Sequence, residues 1–484
     1  MHKFLLSFCC LILCFGCSVG PDYKHPEFYS NQQIAENLNL HPNAKKWLKE
    51  DWYKDFGDET LNKLIEQGIK NSPTITEAIE KMKQARYQLS ITQASLFPFL
   101  DASGQYAKTQ ENVYKNISSR SDYYLTGLDA SWELDIWGGQ RRLVENAQAL
   151  LRAAAYNYDN VKLSLTAEIA AKYISWHLAK KQQQIVEKNL ALQREIYETV
   201  KKQYLSGLTD TLAYEQSLSV LHTSEMQLPL LKTQEKQAKN ALAVLVGILP
   251  SEIAEISNNI LSKQIAVDKE LIHSLPVDII NNRPDVQIAE QQLIAQNALI
   301  GEALSNLFPQ ISLSYLFGYQ NQNLGLLINK DHNMYSLNSG ITLPLFHWGA
   351  LTNQIDLRKS QTEQALSLYK ATLLTAVADI SNTQTSLLQE LKRNNSTKKN
   401  VRSATEILTL SRRKYKNGLT DFSDVLTAEQ NKLSAEQTHL QSNADIYLYQ
   451  IAFYKSVGGG INFNHSIQVC RKDDKESACV HDKD

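Results

Sequence analysis

Two hydrophobic periods divide this sequence. Leu128, Ala130, Trp132, Leu134 and Ile136 alternate with Asp129, Ser131, Glu133 and Asp135, the period of two of a strand with one apolar and one polar face. Ile311, Leu313, Tyr315, Phe317 and Tyr319 alternate in the same way against Gln310, Ser312 and Ser314, and a return strand is expected near 336–346. Elsewhere the period lengthens: Leu143, Ala147, Leu150 and Ala154, then Val161, Leu165, Ile169, Tyr173 and Trp176, recur at mostly three and four positions. There is no Gly or Pro in the 67 residues from Gln140 to Ser206, nor in the 68 from Ala350 to Asn417. As helices these would each run roughly 100 Å at 1.5 Å per residue, with the spacing of a coiled coil. Each stops at Gly-Leu-Thr-Asp, where Gly suits the C-terminal cap and Thr or Asp can cap a returning helix.

The pattern is written twice. Asn71-Ser72-Pro73 returns as Asn282-Arg283-Pro284, Leu96-Phe97-Pro98 as Leu307-Phe308-Pro309, and Trp137-Gly138 as Trp348-Gly349. Gly207-Leu208-Thr209-Asp210 returns as Gly418-Leu419-Thr420-Asp421, and Val246-Gly247 as Val457-Gly458. The offset is 211 each time (284 − 73, 309 − 98, 349 − 138, 418 − 207, 458 − 247). Such register marks a duplicated unit of helix, strand pair and long helical hairpin. The expected layout is a signal peptide over 1–16, an N-terminal segment over 17–59 and a first repeat over 60–247, with strands in 99–137 and a hairpin in 138–247. A connecting segment over 248–275 leads to a second repeat over 276–458, with strands in 310–346 and a hairpin in 349–458, and then a tail over 459–484. The leading helices are expected near 60–96 and 276–307.

Composition removes several classes. With 50 basic against 51 acidic residues, the chain lacks the positive excess of a nucleic-acid binder. No apolar run approaches the length of a membrane-spanning helix. Motifs for a metalloprotease, a phosphate-binding loop, a dinucleotide fold or a serine nucleophile are absent, and the eleven histidines are scattered singly. No enzyme, cofactor or metal site is expected. The first residues carry an address: Lys3, the apolar stretch Phe4 to Phe15, then Gly16-Cys17. This is a secretory signal whose ending resembles a bacterial lipobox, with Cys14 where that motif usually has Leu. Cys17 is then the lipidated first residue, the alternative being an ordinary signal peptide with a stray cysteine. Ser18 favours the outer membrane over the inner. Cys470 and Cys479 remain as thiols in a polar tail, either joined in a disulfide in an oxidising compartment or free.

The strands set a counting problem. Four per chain cannot close, and lipid tolerates no open sheet edge. Transmembrane barrels begin at about eight strands, so two chains would give a side-chain-filled barrel and three would leave room for a channel. The row Asp129, Ser131, Glu133 and Asp135 would then line water, with the apolar row against lipid. A soluble sandwich explains the alternation equally well, but not the secretion signal combined with such long helices. A coiled-coil surface scaffold without a pore is the competing reading.

The lipobox with Cys17-Ser18-Val19-Gly20-Pro21-Asp22-Tyr23, the two Phe-Pro strand openings, the Asp135-Ile136-Trp137-Gly138-Gly139 turn, the two Tyr…Gly-Leu-Thr-Asp tips and the closing Val457-Gly458-Gly459-Gly460 resemble the outer-membrane factors of tripartite efflux systems, in the NodT-type lipoprotein branch related to TolC. The resemblance covers roughly residues 16–461. It implies a homotrimer with a 12-stranded transmembrane barrel continuing into a 12-helix periplasmic tunnel, anchored by lipid in the outer membrane. It further implies a passive exit duct for small molecules, working with a periplasmic adaptor (a membrane fusion protein) and an inner-membrane pump of the resistance-nodulation-division or ABC type. A type I protein-secretion exit is the alternative within this reading. Residues 26–60, 248–275 and the tail would form a belt around the tunnel. The tips Gly207, Leu208, Thr209 and Gly418, Leu419, Thr420 would meet the adaptor. Asp424 falls where similar ducts carry one gate acid, and Thr427 replaces a second. Of the latch that closes such ducts, Tyr415 is present, whereas its acidic partner falls at Ala213 and an Arg is replaced by Thr420. Closure is therefore expected to rest on packing around Tyr415, Leu419 and Leu426 more than on ion pairs.

Overall fold

The computed structural model describes residues 18–38, 50–114, 117–253, 260–262, 276 and 279–460; Cys17, Cys470 and Cys479 lie outside them. In chain order the helices are α1 (Asn31–Leu38), α2 (Glu59–Asn71), α3 (Pro73–Ala94), α4 (Gly139–Leu205), α5 (Thr211–Val246), α6 (Pro284–Ser305), α7 (Ala350–Lys416) and α8 (Phe422–Ser456). The strands are β1 (Phe99–Tyr114), β2 (Ile117–Leu134), β3 (Gln310–Asn321) and β4 (Asn333–Thr342). The duplication holds at the level of elements: α3, α4 and the start of β1 reappear as α6, α7 and the start of β3 with every bound moved by 211. Among the described residues no helix is long and apolar enough to cross a membrane.

Two leading helices differ from the sequence expectation, for one reason. The segment expected near 60–96 is two helices, with Ser72 extended between them (φ −64°, ψ 128°). The residue before a proline is pushed out of the α region, so α2 ends at Asn71 and Pro73 opens α3 as a first helical residue. In the second repeat the same break falls before Pro284, and residues 279–283 form turns rather than the start of a helix reaching back to 276. The return strand also sits earlier than expected, at Asn333–Thr342.

The described residues divide into two compact units: those within 18–27, 81–154 and 288–371 form unit 1, and those within 28–80, 155–287 and 372–460 form unit 2. Unit 1 carries the sheet, in antiparallel order β1-β2-β3-β4. Its two repeats join where β2 pairs β3, with Trp132 opposite Leu313 and Ala130 opposite Tyr315.

Unit 2 is a helical core closed by aromatic residues of the N-terminal segment packed on α8. Trp52 is almost fully buried, its ring 5.1 Å from that of Tyr454, while Phe56 meets Tyr447 at 5.6 Å. The Tyr447 hydroxyl donates to the Ile260 carbonyl at 2.9 Å. Asp58 caps α2, accepting from the amides of Thr60 and Leu61 at 2.9 and 3.2 Å, and its second oxygen accepts from the Tyr173 hydroxyl at 3.1 Å. Gly68 lets α2 approach α4 closely, because a Cβ there would strike Ile169.

One turn beyond Tyr173, His177 is buried against its ring at 4.5 Å. Burial lowers the His177 pKa from 6.5 to about 4, against the opposing pull of the Asp58 carboxylate. Above pH 6.5 the imidazole is neutral in folded and unfolded chains alike. As pH falls from 6.5 to 4, the unfolded chain takes up the proton first, so stability falls over that window by about 3 kcal/mol in all. His177→Gln should remove this component from the thermal unfolding of the helical signal measured between pH 7.5 and 4. An identical pH dependence in the variant would assign the loss to other groups.

Candidate functional sites in the sheet and at the hairpin tips

Paired residues in a sheet share a face, so the register sorts the four strands. One face carries Leu100, Leu128, Leu313, Tyr315, Phe317, Tyr335, Leu337 and Ile341. The other carries Asp101, Ser103, Asp129, Ser131, Glu133, Ser312, Ser314, Ser336 and Asn338. Much of the apolar face is uncovered: Leu100 is 67% exposed, Tyr335 75% and Ile341 72%. A hydrophobic surface of this extent on four strands of ten or more residues suits a lipid-facing wall, since a span needs about 9–11 residues per strand.

Asp129, Ser131 and Glu133 stand on the polar face as expected. Asp135 does not join them. β2 ends at Leu134, and the Asp135 carboxylate turns to α4, accepting from the amides of Gln140 and Arg141 at 3.0 and 3.1 Å and from Arg141 Nε at 3.1 Å. Four unpaired N–H groups at a helix start attract a carboxylate, and the Ile136-Trp137-Gly138 turn brings Asp135 within reach of them. It is a capping residue.

The foot of the sheet also receives the N-terminal segment. The Val19 amide donates to the Trp137 carbonyl at 3.0 Å. Buried Arg142 donates to the carbonyls of Val19 and Gly20 at 3.2 and 3.3 Å, and pairs with Asp22 at 2.8 Å and Glu145 at 2.7 Å. Asn297 donates to the Pro21 carbonyl at 2.9 Å, and Tyr23 and His25 both reach Glu290, at 3.0 and 2.7 Å. Ser18 lies against Gly138, where any Cβ would clash. The residue after Cys17 is thus fixed beside the turn that leads from β2 into α4. The sequence showed the strap but not its clamp: Arg142 sits in a helix among other charged residues with nothing local to single it out.

In unit 2 the two tips are built alike. Gly207 and Gly418 take left-handed φ of 72° and 68°. The Leu208 amide donates to Gln203 and that of Leu419 to Lys414, at 2.8 and 3.0 Å. These bonds satisfy the last helix carbonyls in a Schellman-type cap. Asp210 caps α5 through the Ala213 amide at 2.9 Å. Thr209 and Thr420 are half-buried beside the tips, whereas Leu208 is 79% and Leu419 73% exposed.

Just inside the second tip, Asp424 and Thr427 are exposed on α8, and the Thr420 hydroxyl donates to the Asp424 carboxylate. Tyr415 packs on Leu408, Val425 and Ala428 and meets the Phe422 ring at 5.5 Å. Leu426 is buried nearby, but bare Leu419 takes no part in this packing. In the first hairpin Tyr214 stacks on Tyr204 at 5.0 Å, next to the Ala213 position that lacks a latch acid.

Sequence reasoning missed a polar tie deeper in unit 2. Glu429 of α8 is 5% exposed. It accepts from Arg412 of α7 at 2.6 Å and from Gln193 of α4 at 2.9 Å. One buried carboxylate therefore joins the hairpins of both repeats. Its partners lie 17 and 236 residues away, beyond any local pattern. Among the described residues no group of three or more metal-ligating side chains occurs.

A two-part sequence match decides the family: residues 64–248 and 275–459 each fit the model of "Outer membrane efflux protein". The chain belongs to the outer membrane efflux protein family. It is 28% identical over 461 residues to the "Cation efflux system protein CusC" of Escherichia coli O6:H1, covering 94% of this chain and 98% of that protein. It is likewise 28% identical to the "Probable outer membrane lipoprotein SilC" of Salmonella typhimurium, over 94% of this chain and 98% of that one. Among solved structures, the outer-membrane channel OprN superposes with a TM-score of 0.82 at 26% identity, covering 92% of this chain and 99% of that one. The resemblance read from the sequence holds. This efflux protein is an outer-membrane channel with long helices and a four-stranded share of a barrel.

Proposed function

We propose that this efflux protein works as a homotrimer, forming the passive outer-membrane exit duct for small molecules driven by an adaptor and an inner-membrane pump of the resistance-nodulation-division or ABC type. The observation that carries this reading is the sheet, with one apolar face, one polar face and two open edges. Lipid excludes open edges, and three copies give twelve strands with a water-filled interior lined by Asp129, Ser131 and Glu133. The duct catalyses no reaction and needs no cofactor; energy comes from its partners. Segments 26–60 and 248–275 and the tail after 461 form a belt on the helical tunnel, with Cys470 and Cys479 able to bond in the tail.

Asp424, Thr427 and Tyr415 line the narrow periplasmic end in this reading. Repeated by threefold symmetry, Asp424 forms a ring of carboxylates, the hard oxygen donors that divalent cations prefer. Purified protein in mild detergent should have the mass of three chains and conduct ions across a planar bilayer; a monomer or dimer without conductance overturns the proposal. Asp424→Ala should raise single-channel conductance and weaken block by divalent cations added from the periplasmic side. Unchanged conductance and block would leave Asp424 as a first-turn acid favoured by the helix dipole, satisfied by Thr420.

Cys17 is the lipid attachment point. The name of SilC supports a lipoprotein, and the clamp around Arg142 holds Ser18 beside the foot of β2, where an attached acyl chain meets the membrane edge. Mass spectrometry of the mature N-terminus should find acylated Cys17 after cleavage behind Gly16. Cys17→Ala should lose the lipid yet still insert, because burial of the sheet's apolar face far exceeds that of acyl chains at about 0.8 kcal/mol per CH₂. An unmodified Cys17, or cleavage elsewhere, refutes the assignment.

A further inference from the structure

Within unit 1, one aromatic contact fastens the first repeat to the second. Trp137 stacks on Phe308 with centroids 4.8 Å apart and rings 25° from parallel. Its indole N–H donates to the Pro309 carbonyl at 2.8 Å. Moving each position by the repeat offset gives Trp348, Phe97 and Pro98, the same three residue types. In the chain this second set stands open: Trp348 is 88% exposed and Phe97 66%. Trp348 is also the one non-glycine among the described residues with a left-handed φ, at 52°, a costly conformation for a bulky side chain.

The adjoining strands repeat the asymmetry. Phe99 faces Ser131 in the first strand pair and Gln310 faces Thr342 in the second, so the two pairs share one register. Residues Trp132 to Leu134 nevertheless continue β2 beyond its pairing with β1, because β3 pairs with them from the other side. Their counterparts, Leu343 to Leu345, follow the end of β4 without strand structure. Leu345 is 87% exposed and Phe346 70%. β4 is an edge strand, with no neighbour beyond it among the described residues.

We propose that Trp348 seats on Phe97 and Pro98 of a second copy of this chain, as Trp137 seats on Phe308 and Pro309 within it, and that this seat sets the register between β4 and that copy's β1. The inference rests on the homotrimer reading and adds the contact that closes it. Trp132 opposite Leu313 and Ser131 opposite Ser314 become Leu343 opposite Ala102 and Thr342 opposite Ser103 across the boundary. Face parity is kept: Thr342 and Ser103 both fall on the polar face, and Leu343 and Ala102 on the apolar one. The seated turn takes the conformation of Trp137, and residues 343–345 extend β4, with Pro344 (where β2 has Glu133) accepting through its carbonyl but donating no ladder bond.

Disulfide trapping tests the register in outer membranes containing the full chain, with Cys470→Ser and Cys479→Ser to remove background thiols. In a single sheet β1 and β4 lie about 14 Å apart, three strand spacings, well beyond the roughly 7 Å limit for a disulfide. Any bond between cysteines at 103 and 342 is therefore between copies. Ser103→Cys with Thr342→Cys should give covalent dimers and trimers on oxidation, several-fold more than Asp101→Cys or Gln105→Cys with Thr342→Cys. Trp348→Ala should lower the temperature at which the native trimer dissociates, and Trp348→Phe, which keeps the stack but loses the N–H donor, should lower it less. A trimer that cross-links best through a shifted pair overturns the register. A trimer whose dissociation temperature ignores Trp348→Ala overturns the seat. If native mass shows no trimer at all, the homotrimer reading itself fails.

Discussion

Leu208→Asp combined with Leu419→Asp should abolish adaptor capture and efflux while leaving the channel folded and trimeric. Both leucines are mostly exposed at their turns, and neither turn needs an apolar side chain, since Gly207 and Gly418 supply the left-handed residue and the backbone bonds close the cap. Substitutions at such surface positions usually move stability by no more than about 0.5 kcal/mol. Against a docked adaptor the balance differs. Each buried Leu contributes about 1.5–3 kcal/mol, and a carboxylate in its place must be desolvated. With two tips per chain, capture should fall more than a hundredfold, at roughly 1.4 kcal/mol per factor of ten. Site-specific cross-linking to the adaptor and accumulation of an exported dye both read this. Trimers with unchanged cross-linking and unchanged efflux would rule out docking through the tips.

The second large effect is expected at Arg412. Its guanidinium is the charge partner of the Glu429 carboxylate, which is almost wholly buried and also accepts from the Gln193 amide. Removing one member of a buried ion pair strands the other charge, at a cost of about 3–5 kcal/mol. The half-exposed Arg412 puts this case near the lower end. Because Glu429 ties α8 to α4 of the first repeat, the cost should appear as loosening of the hairpins. Arg412→Ala should open the duct more often in planar bilayers and raise uptake of large antibiotics in cells. Adding Glu429→Gln should restore much of the closure, since it removes the stranded charge and keeps the amide contact. If Arg412→Ala changes neither conductance nor thermal stability, this ion pair does not hold the hairpins together. Closure is expected to rest on packing around Tyr415, Leu419 and Leu426 more than on ion pairs; Tyr415 is half-buried, Leu426 is buried, Leu419 is exposed, and a buried ion pair lies further along the same helices.

What the sequence determined by itself were the features written at short range and then repeated. Alternation from Leu128 to Leu134 fixes a two-faced strand, because side chains on a pleated backbone point to opposite sides in turn. Glycine-free and proline-free stretches bounded by Gly-Leu-Thr-Asp fix the long helices and their ends, whereas the helix breaks before Pro73 and Pro284 emerge only in the structure. The offset of 211 is visible without coordinates, and the motifs it repeats carry the resemblance that implied the family and the channel function. The tertiary structure decided whatever depends on which distant side chain comes within hydrogen-bonding reach. Asp135 reads as one more polar residue in an alternating strand until the turn brings it to the amides of α4. Arg142 is one basic residue of many until Val19, Gly20 and Asp22 fold onto it from more than a hundred positions away. Glu429 gains its meaning only when burial makes its charge expensive and Gln193 and Arg412 answer it. A periodic pattern records which face of an element leaves water, a property each residue shares with its neighbours. A buried polar partnership is a matter of a few ångströms between segments far apart in the chain, and only the fold sets that distance.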